Sequence, residues 1–416
     1  VSRDALLPNP PVGGELAWVA EHLGHLSLDG PSGVRRSGSH RGTQAAADAA
    51  LAGLDLRGYA ARRNEVLPRE RRAATGLSPW IRHGLLSLPE VWEVSGAATG
   101  RDRDKFRDEL LWQEYARHVY ARLGSRTGAP LRFEADERPT SWGDDPWDRT
   151  MACVAETLDE LETDGWIVNQ TRMWLASQWT VRGGAAWRDG EDRLFRHLLD
   201  GSRAANRLGW QWTVGAGTGS AYGFSRWQVA KRSPGTCAGC DRRHDCPIDD
   251  WPDERAASAV EPEALLDGDH DVRRTGGPAE VVAGRPPGWV WLTAESLGAR
   301  DPALSARPDL PVVFVFDEAL LARLQLSSLR LVFLVERLAE LAAERPTEVW
   351  LGDPGRVLSG RSVVVTYAPV PGFRRLVDRL DADSTTIHPW PWLRRPSDGT
   401  LRSFTAWART SLRSRR

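Results

Sequence analysis

The feature that most constrains this chain is a change of hydrophobic period part-way along it. Up to residue 252, apolar residues recur at spacings of three and four, as in the stripe Phe106, Leu110, Leu111, Tyr115 and Val119. Segments 43–63, 104–124, 149–164, 168–182 and 190–208 carry that spacing and read as amphipathic helices. Ser78 before Pro79 reads as an N-cap with proline in the first helical position, and Ser87 with Glu90 as a capping box. From residue 288 the pattern becomes short apolar runs at 289–293, 311–316, 348–351, 362–366 and 385–388, with amphipathic stretches at 327–344 and 372–380 between them. Apolar strands alternating with helices imply a parallel sheet covered by helices. Residues 253–287 mix Pro, Gly, Asp and Arg without period. The expected organisation is a helical domain over 1–252, a linker over 253–287 and a doubly wound parallel α/β domain over 288–416. The Arg-rich residues 400–416 read as a solvated tail, and no repeat of solenoid period is present.

Composition removes several function classes. With a net charge of −1 over 416 residues, no overall basic field draws the chain to nucleic acid, so any such contact must be local. No apolar stretch reaches the roughly 18 residues of a membrane helix. The N-terminal residues lack a signal pattern, and four cysteines make no secreted disulfide framework. The expectation is a cytoplasmic protein, monomeric and without a membrane partner. The unusual count is tryptophan, 20 against 9 Phe and 5 Tyr. A buried indole N–H needs a partner, so packing alone rarely selects Trp over Phe.

Three stretches concentrate polar and aromatic residues. They are Ala74-Thr-Gly-Leu-Ser-Pro-Trp80, Glu109-Leu-Leu-Trp-Gln-Glu-Tyr115, and Gly165-Trp-Ile-Val-Asn-Gln-Thr-Arg-Met173 with Trp187 and Asp200 to Trp212 beyond it. Glu109 and Trp112 share a helix face, as do Asn169, Arg172 and Met173. Such a set can line a pocket for a flat polar ligand or can be the rim of a Trp-rich core. A second cluster is Cys237-x2-Cys240-x5-Cys246-Pro247, with Cys153 on an earlier helix. Three cysteines within ten residues point to a metal site, either zinc or iron–sulfur.

These motifs, in this order, resemble the FAD-binding domain of the photolyase and cryptochrome family over roughly residues 59–228. The resemblance implies that Thr75, Leu77 and Ser78 hold the FAD phosphates and ribityl chain, at a helix N-terminus suited to anions. It implies a buried Arg172–Asp200 pair beside the flavin ring and Asn206 facing flavin N5. Glu109, Trp112, Asn169, Met173 and Trp212 match the catalytic set that contacts a pyrimidine dimer flipped from the DNA stack. Burial of Glu109 would let it donate a proton to the reacting dimer. Trp187 and Trp210 match two members of an electron-transfer chain, with Trp142 or Trp147 as the third. Gln113 and Gln170 stand where repairing members often carry Arg, and Ser202 replaces an Asp often found in the flavin loop.

The cysteines resemble those of the bacterial branch with a four-iron cluster, which makes Cys153, Cys237, Cys240 and Cys246 the ligands of a [4Fe-4S] cluster. Residues 289–304 look like the opening strand and Asn-Pro-Ala-Leu segment of the family's antenna domain, with Asp301 where Asn is common. That domain normally comes first, so the order here implies a circular permutation. Asp317 and Asp353 fall at strand ends, where ligands bind in such sheets, and the antenna chromophore is not assigned. The implied function is a light-driven photolyase, a lyase acting on UV-damaged DNA. Cyclobutane dimers are favoured over (6-4) photoproducts, and the alternative is a cryptochrome-like blue-light photoreceptor without repair.

Overall fold

The computed structural model describes residues 4–135, 137, 145–252 and 257–413. Six strands form one sheet: β1 Ala5–Leu7, β2 Trp289–Leu292, β3 Val312–Asp317, β4 Thr347–Gly352, β5 Val363–Thr366 and β6 Thr385–His388. Their order is β1-β4-β3-β2-β5-β6. β2 to β6 run parallel, while β1 lies antiparallel on the outer edge of β4, with Leu6 opposite Trp350. The five apolar runs read as strands are strands. β5 is buried along its whole length, which is why Val363-Val-Val-Thr366 shows no alternation.

The helix Ser328–Glu344 is buried on almost every side, and Glu336 and Arg330 bond to the helical part while Arg337 bonds within the α/β part. Glu336 accepts from Gly42 N (2.5 Å) and Arg41 Nε (2.6 Å). Arg337 Nε donates to Leu297 O (2.9 Å), and Arg330 Nη2 donates to Gly201 O (2.9 Å). One apolar cluster runs through both parts, holding Leu85 and Leu86 together with Val312, Phe333 and Leu334. No helix among the described residues is long and apolar enough to cross a membrane.

The helical part holds several departures from the expected spans. The stretch 43–63 forms two helices, Gln44–Ala52 and Tyr59–Arg62, parted at Gly53 and at Gly58, whose φ is 77°. The stretch 190–208 is also two helices, Trp187–His197 and Ala205–Thr213, with a largely buried turn at Asp200 and Gly201 between them. The Ser87–Glu90 capping box is present. Ser78, in contrast, is the first helical residue and Leu77 the N-cap, because the Ser78 hydroxyl is engaged elsewhere.

Three readings of the ends and the linker are corrected. β1 was not expected within 1–252; three residues carry no period, and the strand exists only by pairing with β4. Residues 404–413 form a helix, not a solvated tail, with Trp407 buried against Tyr115 and His118. The segment 253–287 is partly built in: Leu266 is buried with Leu111, Tyr115 and Leu401, and Val282 bridges Ile387.

Asp317 and Asp353 cap helices, accepting from Leu320 N and from Gly355 N and Arg356 N. Asp301 caps Pro302–Ala306 from a buried position, accepting from Ala303 N (3.1 Å) and Leu304 N (3.0 Å). Burial pushes its carboxyl up to about 6, against the opposing hydrogen bonds from Thr366, Leu304 and Ala303. Between its ordinary value and about 6 the folded chain holds a proton that the unfolded chain releases, so stability falls as pH rises through that window. Asp301→Asn keeps an acceptor at the cap and removes the ionisation. It is expected to be about 1–3 kcal/mol more stable than the parent at pH 8, with the gap closing toward pH 4. Urea midpoints at the two pH values check this.

Candidate functional site

A cavity of about 570 Å³ opens in the helical part, and its floor is built around one carboxylate. Gly165, with φ 66°, ends the helix Ala152–Asp164 and turns the chain so that Trp166 faces the cavity. A Cβ there would stand 2.8 Å from Leu199 Cγ. Trp166 Nε1 donates to Ser78 Oγ (2.9 Å), and Ser78 Oγ donates to Asp200 Oδ2 (2.6 Å). Arg172 Nη2 donates to the same oxygen at 2.8 Å, while its Nε holds Ile167 O at 3.0 Å. Burial alone would raise the Asp200 carboxyl, but Arg172, Ser78 and His40 outweigh it and hold it below the ordinary carboxylate value. The other oxygen, Asp200 Oδ1, is buried and has no hydrogen-bond partner among the described residues. It is an acceptor awaiting a donor, and Thr75, Leu77 and Asn206 share the cavity wall with it.

The mouth carries the second set. Glu109 and Trp112 come from the helix Gly100–Leu123, Asn169 and Met173 from Asn169–Ser177, and Trp212 from Ala205–Thr213; all five line the cavity. Trp112 and Trp212 are 39% and 40% exposed, so each offers a flat surface at the opening. Asn169 Nδ2 lies 3.9 Å from Met173 Sδ. The full burial that would let Glu109 donate a proton is absent. Its side chain is 35% exposed, and Oε1 meets Lys105 Nζ at 2.9 Å and Arg63 Nε at 3.3 Å. Paired in this way, Glu109 is an acceptor. Gln113 lines the cavity, whereas Gln170 is buried and donates from Nε2 to Tyr222 Oη (3.0 Å). Tyr222 in turn packs against Trp212 at 5.3 Å.

Behind the floor stand more indoles. Trp210 lines the cavity and Trp187 does not; both are buried, and neither indole N–H has a partner among the described residues. Gly190 is required beside Trp210, since a Cβ would stand 2.4 Å from Trp210 Cη2 and 2.7 Å from Trp179 Cδ1. Trp147 is buried against Trp179 at 5.1 Å. Trp142 lies outside the described residues.

Sequence reasoning missed Glu191. It is buried, accepts from Asn206 Nδ2 (3.1 Å) and Arg207 Nη2 (3.1 Å), and also pairs with Arg203. With its amide nitrogen so occupied, Asn206 is left with its carbonyl oxygen as the free end. An acid in the Arg-rich run 188–196 looks like a surface residue, so only the fold reveals this role.

The four cysteines line one small cavity with Met151, Arg226 and Ile248, and none is in a disulfide. Ala152 N donates to Cys240 Sγ at 3.4 Å. Burial, and then the three other thiols, push the Cys153 thiol up. Among the described residues no group of three or more His, Cys, Asp or Glu that could hold a metal ion is found.

Residues 106–233 match the family model described as the FAD binding domain of DNA photolyase. The matched span carries Glu109 to Trp212, but neither Thr75–Ser78 nor the Cys237–Cys246 triplet. A deoxyribodipyrimidine photo-lyase of Thermus thermophilus is 34% identical over 194 residues, covering 42% of this chain and 44% of that protein. One from Synechococcus is 28% identical over 164 residues, covering 34% and 32% respectively. The chain thus matches between about a third and under a half of the length of these relatives. Among solved structures, a Synechocystis cryptochrome superposes with a TM-score of 0.43 at 21% identity, covering 48% of this chain and 45% of that one.

Removing Arg172 leaves Asp200 buried and uncompensated. Arg172→Ala is expected to lower the unfolding free energy by about 3–5 kcal/mol at pH 7. Burial without its partner raises the Asp200 carboxyl in the variant, so the deficit narrows as pH falls through that raised value and on through the parent's depressed one. Chemical denaturation across that range checks both parts.

Proposed function

We propose that this chain binds FAD in the cavity and splits UV-induced pyrimidine dimers in DNA when illuminated. One observation carries the reading: the phosphate- and ring-contacting set (Thr75, Leu77, Ser78, Arg172, Asp200 and Asn206) and the dimer-contacting set (Glu109, Trp112, Asn169, Met173 and Trp212) line one cavity. The donor set suits the group. Asp200 Oδ1 and the free oxygen of Asn206 are acceptors for flavin N–H groups, and the cavity has the size of a cofactor site. When bound, reduced FAD supplies light-driven transfer of one electron to the lesion and takes it back after the two carbon–carbon bonds of the cyclobutane ring have broken.

The residues of the chain bind and orient. Trp112 and Trp212 present flat faces at the mouth to bases that have left the stack. Glu109, held by Lys105 and Arg63, accepts from base N–H groups. Trp210 and Trp187, buried behind the floor, are the proposed route by which the flavin is reduced. The cyclobutane dimer is the first lesion to assay and the (6-4) photoproduct the second.

The four cysteines are proposed to hold a [4Fe-4S] cluster. They line one small cavity, three of them fall within ten residues of sequence, and none is in a disulfide. The domain order is proposed to be a circular permutation. In support of it, the N-terminal β1 completes the sheet and the last helix docks on the helical part, so each end of the chain packs on the half remote from it in sequence.

Purified chain, reduced and illuminated with blue light, is expected to convert a thymine cyclobutane dimer in an oligonucleotide to two thymines. Trp112→Ala and Trp212→Ala should each weaken dimer binding by about 5- to 100-fold. Flavin photoreduction without turnover of either lesion would favour the photoreceptor reading instead. Cys246→Ser should remove the broad brown absorption of the iron–sulfur cluster while the flavin bands remain. A colourless parent protein would sink both cofactor assignments.

A further inference from the structure

Trp112 does not stand alone at the mouth. The ring of Phe404 lies 4.4 Å from its indole with an angle of 11° between planes, a parallel stack, while Tyr115 meets it edge-on at 5.6 Å. Trp112 lines the cavity and Phe404 does not, so Phe404 reaches the site only through the indole it stacks on.

Phe404 is itself firmly placed. Residues 394–407 run as a strap along the helix Gly100–Leu123 and are bonded at successive turns. Glu114 Oε1 accepts from Arg394 N (2.8 Å), and Tyr115 Oη donates to Leu401 O (2.7 Å). Arg122 donates to Ser397 O (2.7 Å) and Gly399 O (2.9 Å). Trp407 Nε1 can only donate, so His118 Nδ1 accepts from it at 3.0 Å and His118 Nε2 carries the proton given to Arg394 O at 2.8 Å. Burial holds that imidazole neutral, pushed down to about 3. These bonds fix the strap within about three helical turns of Trp112.

We infer that Phe404 is a positioning residue. It clamps the Trp112 indole from behind, in the plane on which a nucleobase entering the cavity stacks. The inference rests on the reading of the mouth as a base-binding site and adds a residue to it. A half-exposed indole on a helix surface has several rotamers, and ordering it costs entropy when a base binds. The stack with Phe404 meets that cost during folding, leaving the free face preorganised for a base.

The test uses full-length, FAD-loaded protein and a single-stranded oligonucleotide with one thymine cyclobutane dimer. Phe404→Leu keeps the apolar contact and removes the flat ring. Binding is expected to weaken about three- to tenfold, with FAD content unchanged. Phe404→Tyr restores it. In a Trp112→Ala background, Phe404→Leu should change binding less than twofold, because the indole it positions is gone. An equal loss in both backgrounds, or no loss where Trp112→Ala itself weakens binding, overturns the inference.

A second readout needs no DNA. In protein labelled with 5-fluorotryptophan, the Trp112 signal is identified by its loss in Trp112→Phe. Phe404→Leu should shift and broaden that ¹⁹F signal and leave the others in place; an unmoved signal overturns the inference. Parent protein that binds no dimer but shows the shift would refute the base-binding reading and leave the clamp standing.

Discussion

The pair of part-buried Arg172 with the buried carboxyl of Asp200 is the contact on which the site depends. A carboxylate this deep is tolerable only because a guanidinium and a hydroxyl share its Oδ2 and hold it ionised. The carboxylate and its two partners come from three separate parts of the chain, so satisfying one charge fixes the relative positions of the Asn169–Ser177 helix, the Ser78–Arg82 helix and the turn at residue 200. The next carbonyl, Gly201 O, is gripped by Arg82 Nε and by Arg330 Nη2, each at 2.9 Å. Arg330 belongs to the helix that covers the sheet, so the same turn ties the cavity floor to the α/β part.

Two arginines on one carbonyl explain a second feature. Arg330 is buried, and burial, followed by the nearby Arg82, pushes its guanidinium down to about 9. Stacking on Phe195 at 5.0 Å and the neighbouring Glu295 and Asp200 offset part of the strain of confining like charges. This concentration of positive charge under the cavity is adjacent to where an anionic cofactor is proposed, although the chain as a whole is close to neutral. Local arrangement, and not net charge, gives the site its field.

Legibility in the sequence followed the length scale of the interaction. The five parallel strands and the long helices were readable because burial repeats along them; Val363 to Thr366 and the Phe106–Val119 stripe each state their environment in their own neighbours. Site residues spaced three or four apart on one helix, such as Glu109 with Trp112 and Asn169 with Met173, were readable for the same reason. β1 was not readable, since three residues have no period. The break at residues 198–204 was hidden because its apolar residues keep helical spacing across the turn. Glu191 looked like a surface acid, and residues 400–416 looked like a basic tail, because the partners of both lie far away in sequence.

The sequence by itself determined the two styles of secondary structure, the faces of the helices and the residue types available for a flat, polar, anionic ligand. Those are consequences of local periodicity and side-chain chemistry. Only the tertiary structure decided that the two sets of residues meet in one cavity, that Glu109 is paired with cations and open to solvent, that Gln170 points inward, and that Phe404 stands behind Trp112. Each of these depends on contacts between segments tens to hundreds of residues apart, whose geometry is set by satisfying buried polar groups and packing one shared core, and that information is not carried in any single stretch of chain.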